Sequence, residues 1–171
     1  MHLNLIPLLL TLALAWPGPP PVPVWPAGPP PALVWPVSPS PPEILRGWQP
    51  PPGPYAAGHR GVDLAAPPGT PVLAPAAGTV TFAGPVGGRG AVTLTLPDTG
   101  APPLRTTFTP VTPLVPPGTV VTPGTPIAEV TADTHCPRSC LHWGLLRGEE
   151  YLNPLLLTRR APSRLLPLDD D

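Results

Sequence analysis

From Tyr55 onward, apolar residues come in short runs rich in β-branched side chains, separated by Gly and Pro. The runs fall at 71–74, 78–82, 91–96, 104–111, 119–121 and 126–131. In Ala91-Val92-Thr93-Leu94-Thr95-Leu96, Val and Leu alternate with Thr, which is the period of a strand with one apolar and one polar face. Runs this short, punctuated this regularly by turn residues, predict an all-β fold, an antiparallel sandwich or barrel. About 100 residues, 55–157, are enough to bury a small core.

The chain before Tyr55 follows two other patterns. Residues 3–14 are almost continuously apolar, and Ala13-Leu14-Ala15 has the small-x-small form of a cleavage site. This predicts an export signal over 1–15 and a secreted, extracellular protein. The run is shorter than the roughly 20 residues a bilayer span needs. Its flank offers only the α-amino group and His2, so an uncleaved, weakly anchored terminus is the alternative, and the one way a membrane enters. Residues 16–54 form a Pro-rich arm with 17 prolines between 17 and 54. Such a stretch favours polyproline II and acts as a semi-rigid spacer. Tryptophans far from a core tend to pack on something, and residues 34–54, with Trp35 and Trp48, are expected to lie along the outside of the domain. The tail, 158–171, ends in Asp169-Asp170-Asp171 and is expected to be disordered.

Composition narrows the picture further. The 36 prolines among 171 residues exclude long helices wherever they are dense. Net charge is -1, and the nine basic residues are all Arg. No basic face exists for a phosphate backbone, which excludes nucleic acid as a partner. Cys136 and Cys140 are the only cysteines. In an exported protein they read as a short-loop disulfide, with metal binding as the alternative.

Two segments carry candidate chemistry: Gly58-His59-Arg60-Gly61-Val62-Asp63-Leu64 and Cys140-Leu141-His142-Trp143-Gly144. Zinc takes His nitrogen and carboxylate oxygen, and a reactive zinc keeps one position for water. His59, Asp63 and His142 would make such a set. Taken alone, a His and an Asp four apart also fit a solvated or hydrogen-bonded pair, and a single strand His fits a structural role.

The same residues resemble a family. Gly58 to Leu64 is followed by Ala66-Pro67-Pro68-Gly69-Thr70-Pro71-Val72-Leu73-Ala74 and Gly78-Thr79-Val80. Further on come Val121-x-Pro-Gly-Thr-Pro-Ile127, Leu141-His142-Trp143-Gly144-Leu145 and Tyr151-Leu152-Asn153-Pro154-Leu155. In this order, over about 55–157, they resemble the lysostaphin/LytM-type zinc metallopeptidases. The resemblance implies a compact antiparallel two-sheet β core, a barrel-sandwich hybrid, with a groove crossing the sheet over a zinc ion (Zn2+). It implies His59, Asp63 and His142 as metal ligands and peptidoglycan peptides as substrate.

The chain departs from the family at two helper histidines. Pro110 in Thr107-Phe108-Thr109-Pro110 stands where one is expected, and Cys140 stands where the other begins a His-x-His pair. Positioned acid–base catalysis is worth roughly 10²–10⁴ in rate, and an oxyanion donor a comparable amount. His135, just before the cysteine loop, is a candidate replacement catalytic residue; its alternative is an ordinary surface histidine. Asp133, Arg138 and Arg147 are candidates for the same rim, while Glu149 and Glu150 read as a solvated turn. The expected function is that of a zinc endopeptidase-family protein directed at peptidoglycan, with weak or no hydrolysis. The alternative is a non-catalytic relative that binds cell-wall peptide or regulates a separate cell-wall hydrolase. A module that only displays the Pro-rich arm is disfavoured, because nothing structural requires His59, Asp63 and His142 together.

Overall fold

A computed structural model describes residues 33–53, 56–132 and 136–158. The expected signal (1–15), the first part of the arm, His135 with Asp133, and 159–171 lie outside the described residues. Eleven strands and one 3-10 turn make up the described structure, and no α-helix occurs among these residues.

The strands form two antiparallel sheets. The larger runs β1(Ile44–Arg46), β2(Gly61–Ala65), β10(Cys140–Arg147), β6(Leu104–Thr109), β5(Arg89–Leu96), β4(Gly78–Val86) and β8(Val120–Val121). Its branch, β11(Glu150–Leu152), pairs with β10. The smaller sheet is β3(Pro71–Leu73), β9(Pro126–Val130) and β7(Val111–Pro113). The antiparallel β fold expected from the short runs, in the two-sheet form that the resemblance implies, is what the chain forms.

Period-two patterning decides which side chains enter the core. In β5, Val92, Leu94 and Leu96 are buried while Ala91, Thr93 and Thr95 are not. In β6, Leu104, Thr106 and Phe108 are buried opposite them. In β10, Leu141, Trp143 and Leu145 point inward. The small sheet covers this surface with Val72, Val111, Ile127, Ala128 and Val130. Trp143 is fully buried, and its indole N–H donates to the Thr106 hydroxyl at 2.8 Å. Thr106 in turn donates to the Gly144 carbonyl at 3.0 Å. This chain of bonds satisfies two polar groups whose orphaning would cost about 1–3 kcal/mol each.

Part of the arm belongs to the same packing unit. Val37 is buried in the core, and Leu33, Trp35 and Trp48 pack against it. The Trp35 ring meets Trp143 edge-on, with centroids 6.1 Å apart. β1 adds an edge strand beside β2, and Gln49 exchanges backbone hydrogen bonds with His59 at 2.8 and 3.1 Å. The Pro-rich chain thereby reaches the metal-ligand candidates directly.

Candidate metal centre

β2 is buried on both faces, unlike the half-open strands beyond it. Val62 and Leu64 face the core, and Gly61 and Asp63 face the opposite side. Register places His142 of β10 beside Asp63 of β2 on one flank and Thr109 of β6 on the other. His59, in the turn before β2, folds over the pair.

The His59 imidazole is oriented from the arm. Its Nδ1–H donates to the Gly47 carbonyl at 2.7 Å, which leaves the lone pair on Nε2. A second hydrogen bond of this kind sets both tautomer and ring direction of a metal-binding histidine. Nε2 lies 3.1 Å from Asp63 Oδ1 and 3.2 Å from His142 Nδ1. His142 Nδ1 lies 2.8 Å from the same Asp63 Oδ1 and, without a metal, donates its proton to it. The result is a triangle of two imidazole nitrogens and one carboxylate oxygen.

The donor set suits a divalent metal. Ligands about 2.0–2.1 Å from a tetrahedral zinc would stand roughly 3.3 Å apart. The observed separations of 2.8 to 3.2 Å need only a small expansion. Asp63 is 1% exposed and His59 5%, whereas the His142 side chain is 20% exposed, so the triangle opens to solvent on one side only.

Close packing leaves the His142 ring little freedom. A Cβ on Gly61 would stand 2.7 Å from its Cε1 and Nε2 and would collide with the Trp143 carbonyl. The paired Gly144 has the Thr107 hydroxyl where a Cβ would go. Both glycines are required by approach distance.

Beyond His142 the open face of the sheet carries small and hydroxylated side chains. Thr107 and Thr93 are paired across β6 and β5, and Phe82 pairs with Thr93 at the far side. Thr109 donates its hydroxyl to the Gly90 carbonyl at 3.1 Å. A shallow concavity lined by Gly84, Pro85, Arg89, Gly90, Val111 and Thr131 continues from there.

Cys136 and Cys140 form a disulfide, with Cα atoms 6.1 Å apart. Pro110, just after β6, is buried and offers only its carbonyl, which accepts from Thr131 N–H at 3.1 Å. His135 lies outside the described residues. Of the expected rim, Arg138 is exposed and pairs with Glu43 at 2.7 Å. Arg147 is a correction: it lies at the far end of β10, donating to the Thr99 carbonyl at 2.9 Å, away from the triangle. The Gly47 carbonyl behind His59 was not legible in the sequence, because no side-chain signal marks a backbone acceptor.

Residues 57–154 match the model of Peptidase family M23. The chain belongs to this family. It is a family of peptidoglycan-directed peptidases, in agreement with the lysostaphin/LytM-type resemblance. An uncharacterized protein of Mycobacterium tuberculosis is 39% identical over 136 residues, covering 76% of this chain and 53% of the relative. The chain thus spans about half the length of that relative. Among solved structures, the catalytic domain of the antimicrobial peptidase lysostaphin from Staphylococcus simulans has the same fold, with a TM-score of 0.59 and 22% identity, covering 70% of this chain and 95% of that one. A zinc-containing peptidase from Vibrio cholerae aligns with a TM-score of 0.56 and 21% identity, covering 69% of this chain and 37% of that one.

Proposed function

We propose that this M23 protein is an exported zinc-binding domain directed at peptidoglycan peptides, with a retained metal centre and weak or no hydrolysis. The observation that carries the reading is the His59–Asp63–His142 triangle, with one oxygen within 3.2 Å of two imidazole nitrogens and an opening on the His142 side. The zinc-containing relative from Vibrio cholerae supports the choice of metal. A zinc ion held there supplies Lewis acidity and lowers the pKa of a bound water toward about 7.

The chain's own residues account for the rest. Gly47 orients His59, and Gly61 leaves room for the His142 ring. The small residues over β6 and β5 let an extended peptide backbone lie close to the centre. Leaving-group protonation is where the chain falls short. Pro110 has no proton to give, and Cys140 has its sulfur in a disulfide. His135 is the replacement acid–base residue in this proposal. Export rests on the 1–15 signal, and no helix among the described residues is long and apolar enough to cross a membrane.

A second reading rests on those same two positions. A domain that binds cell-wall peptide, or regulates another cell-wall hydrolase, needs the groove and the metal but no proton donor. The test pairs metal analysis of the purified protein with digestion of isolated peptidoglycan, using the lysostaphin catalytic domain as positive control. One zinc per chain is expected, with peptide release at least a hundred-fold below the control, consistent with the loss of positioned acid–base help. Pro110→His together with Cys140→His is expected to raise the rate. Cleavage at the control's rate that survives His135→Ala would overturn the reading of a degenerate site, and metal-free protein would overturn the metal centre.

A further inference from the structure

Asp63 belongs to two donor sets. One is the triangle with His59 and His142. In the other, an Asp63 carboxylate oxygen and the sulfurs of Cys136 and Cys140 lie within 4.8 Å of one another. Cys140 and His142 are two apart on one strand, paired to Ala65 and Asp63 of β2, and alternate residues of a strand share a face. Cys140 is fully buried on that face, and Cys136 is half-buried in the turn before it.

Disulfide sulfur is a poor ligand for zinc, whereas thiolate is among its best. A catalytic zinc keeps three protein ligands and one exchangeable position, and a fourth protein ligand turns the same ion into a closed, structural one. We propose that the Cys136–Cys140 disulfide keeps the metal centre open, and that its reduction creates a thiolate donor set, led by Cys140, that closes the centre around the shared Asp63. The proposal rests on the metal centre described above and adds a redox control to it.

The conversion needs a dithiol reductant. One thiolate of the reductant attacks Sγ of Cys136, the less buried of the two cysteines; the Cys136–Cys140 bond breaks, and Cys140 leaves as thiolate. The second thiol of the reductant attacks the mixed disulfide, releases Cys136 and closes the reductant's own disulfide. Two electrons pass to the protein. Cys140 keeps its thiolate by binding the metal, and Cys136 takes up a proton. β10 is hydrogen-bonded to β2 and β6, so the closure asks for rotation of a side chain and leaves the strand in place.

Co2+ is the probe, because thiolate ligation gives it an intense near-ultraviolet charge-transfer band that nitrogen and oxygen ligands do not. The full chain is stripped with a chelator. It is then titrated with Co2+ either as the disulfide form or after reduction by a phosphine that is removed without oxygen. One Co2+ per chain is expected in both forms. The charge-transfer band is expected only after reduction, with affinity at least ten-fold higher. Cys136→Ser should show the band without reductant, and Cys140→Ser should never show it. Reduced protein that binds Co2+ without the band overturns this inference and leaves the open centre standing. A disulfide form that binds no Co2+ overturns the metal centre itself. If Cys140→Ser does not fold, the comparison of the two wild-type forms decides alone.

Discussion

The two faces of β10 are made of alternate residues of one eight-residue strand and obey different rules. Leu141, Trp143 and Leu145 face a core where volume and the absence of unpaired polar atoms decide what fits. Cys140, His142 and Gly144 face the site, where the positions of donor atoms and the space between backbones decide. A change on the first face is expected to be felt as stability, and a change on the second as binding at the proposed metal centre. The difference teaches that one strand can be optimised for both only because its side chains alternate.

Trp143→Ala should blur the contrast most. It opens a cavity under the arm where Trp35 now rests and leaves the Thr106 hydroxyl without its indole donor. A loss of about 3–5 kcal/mol is expected in denaturant unfolding. Metal should be lost only as the protein unfolds. His142→Ala sharpens the contrast. Stability of the metal-free protein should fall by less than in the Trp143 variant, by about 1–3 kcal/mol, because the buried Asp63 carboxylate loses one hydrogen-bond partner. Zinc affinity should fall by more than the roughly 10–100-fold that follows loss of a ligand's supporting hydrogen bond. Calorimetric titration and chelator-dependent melting would check both numbers, and retained zinc stoichiometry in this variant would show that His142 is not a ligand.

Gly58→Ala tests the arm's part in the site. Its Cβ would stand 2.8 Å from the Gln49 carbonyl and 2.9 Å from Pro51 Cα, so the arm must shift and take the Gly47 carbonyl with it. Zinc affinity is expected to fall about 10–100-fold through the misdirected His59 ring, with a smaller loss of stability, measured by the same titration. Arg138→Ala should do least. The Arg138–Glu43 pair is exposed on both sides, at 69% and 60%, and such pairs contribute about 0–1 kcal/mol. Metal binding should be unchanged, and a large effect would mean that the cysteine turn is held by this pair.

The alternation of Val and Leu with Thr in 91–96 was enough to read a strand and its two faces, since hydrophobic burial acts on every second residue regardless of where the strand ends up. His59, Asp63 and His142 were legible as a set only through the order of motifs around them. Spacing alone left them as an ordinary polar pair and a lone strand histidine. Pro110 and Cys140 were legible as departures for the same reason. The role of the arm was harder to read, because a polyproline segment has no periodic face to mark where it packs.

The sequence by itself determined the family, the all-β class and which residues are candidate donors, because these depend on local pattern and on which elements each side chain carries. Only the tertiary structure decided that the donors meet. It took β2 and β10 pairing in one register to put Asp63 opposite His142, and it took Gly47, twelve residues upstream and just past β1, to set the His59 ring through its backbone carbonyl. It also took that register to bring the Cys136–Cys140 sulfurs to the same carboxylate. Distances between residues 59, 63, 136 and 142 are set by sheet pairing and close glycine contacts, and those are properties of the packed chain that no single segment contains.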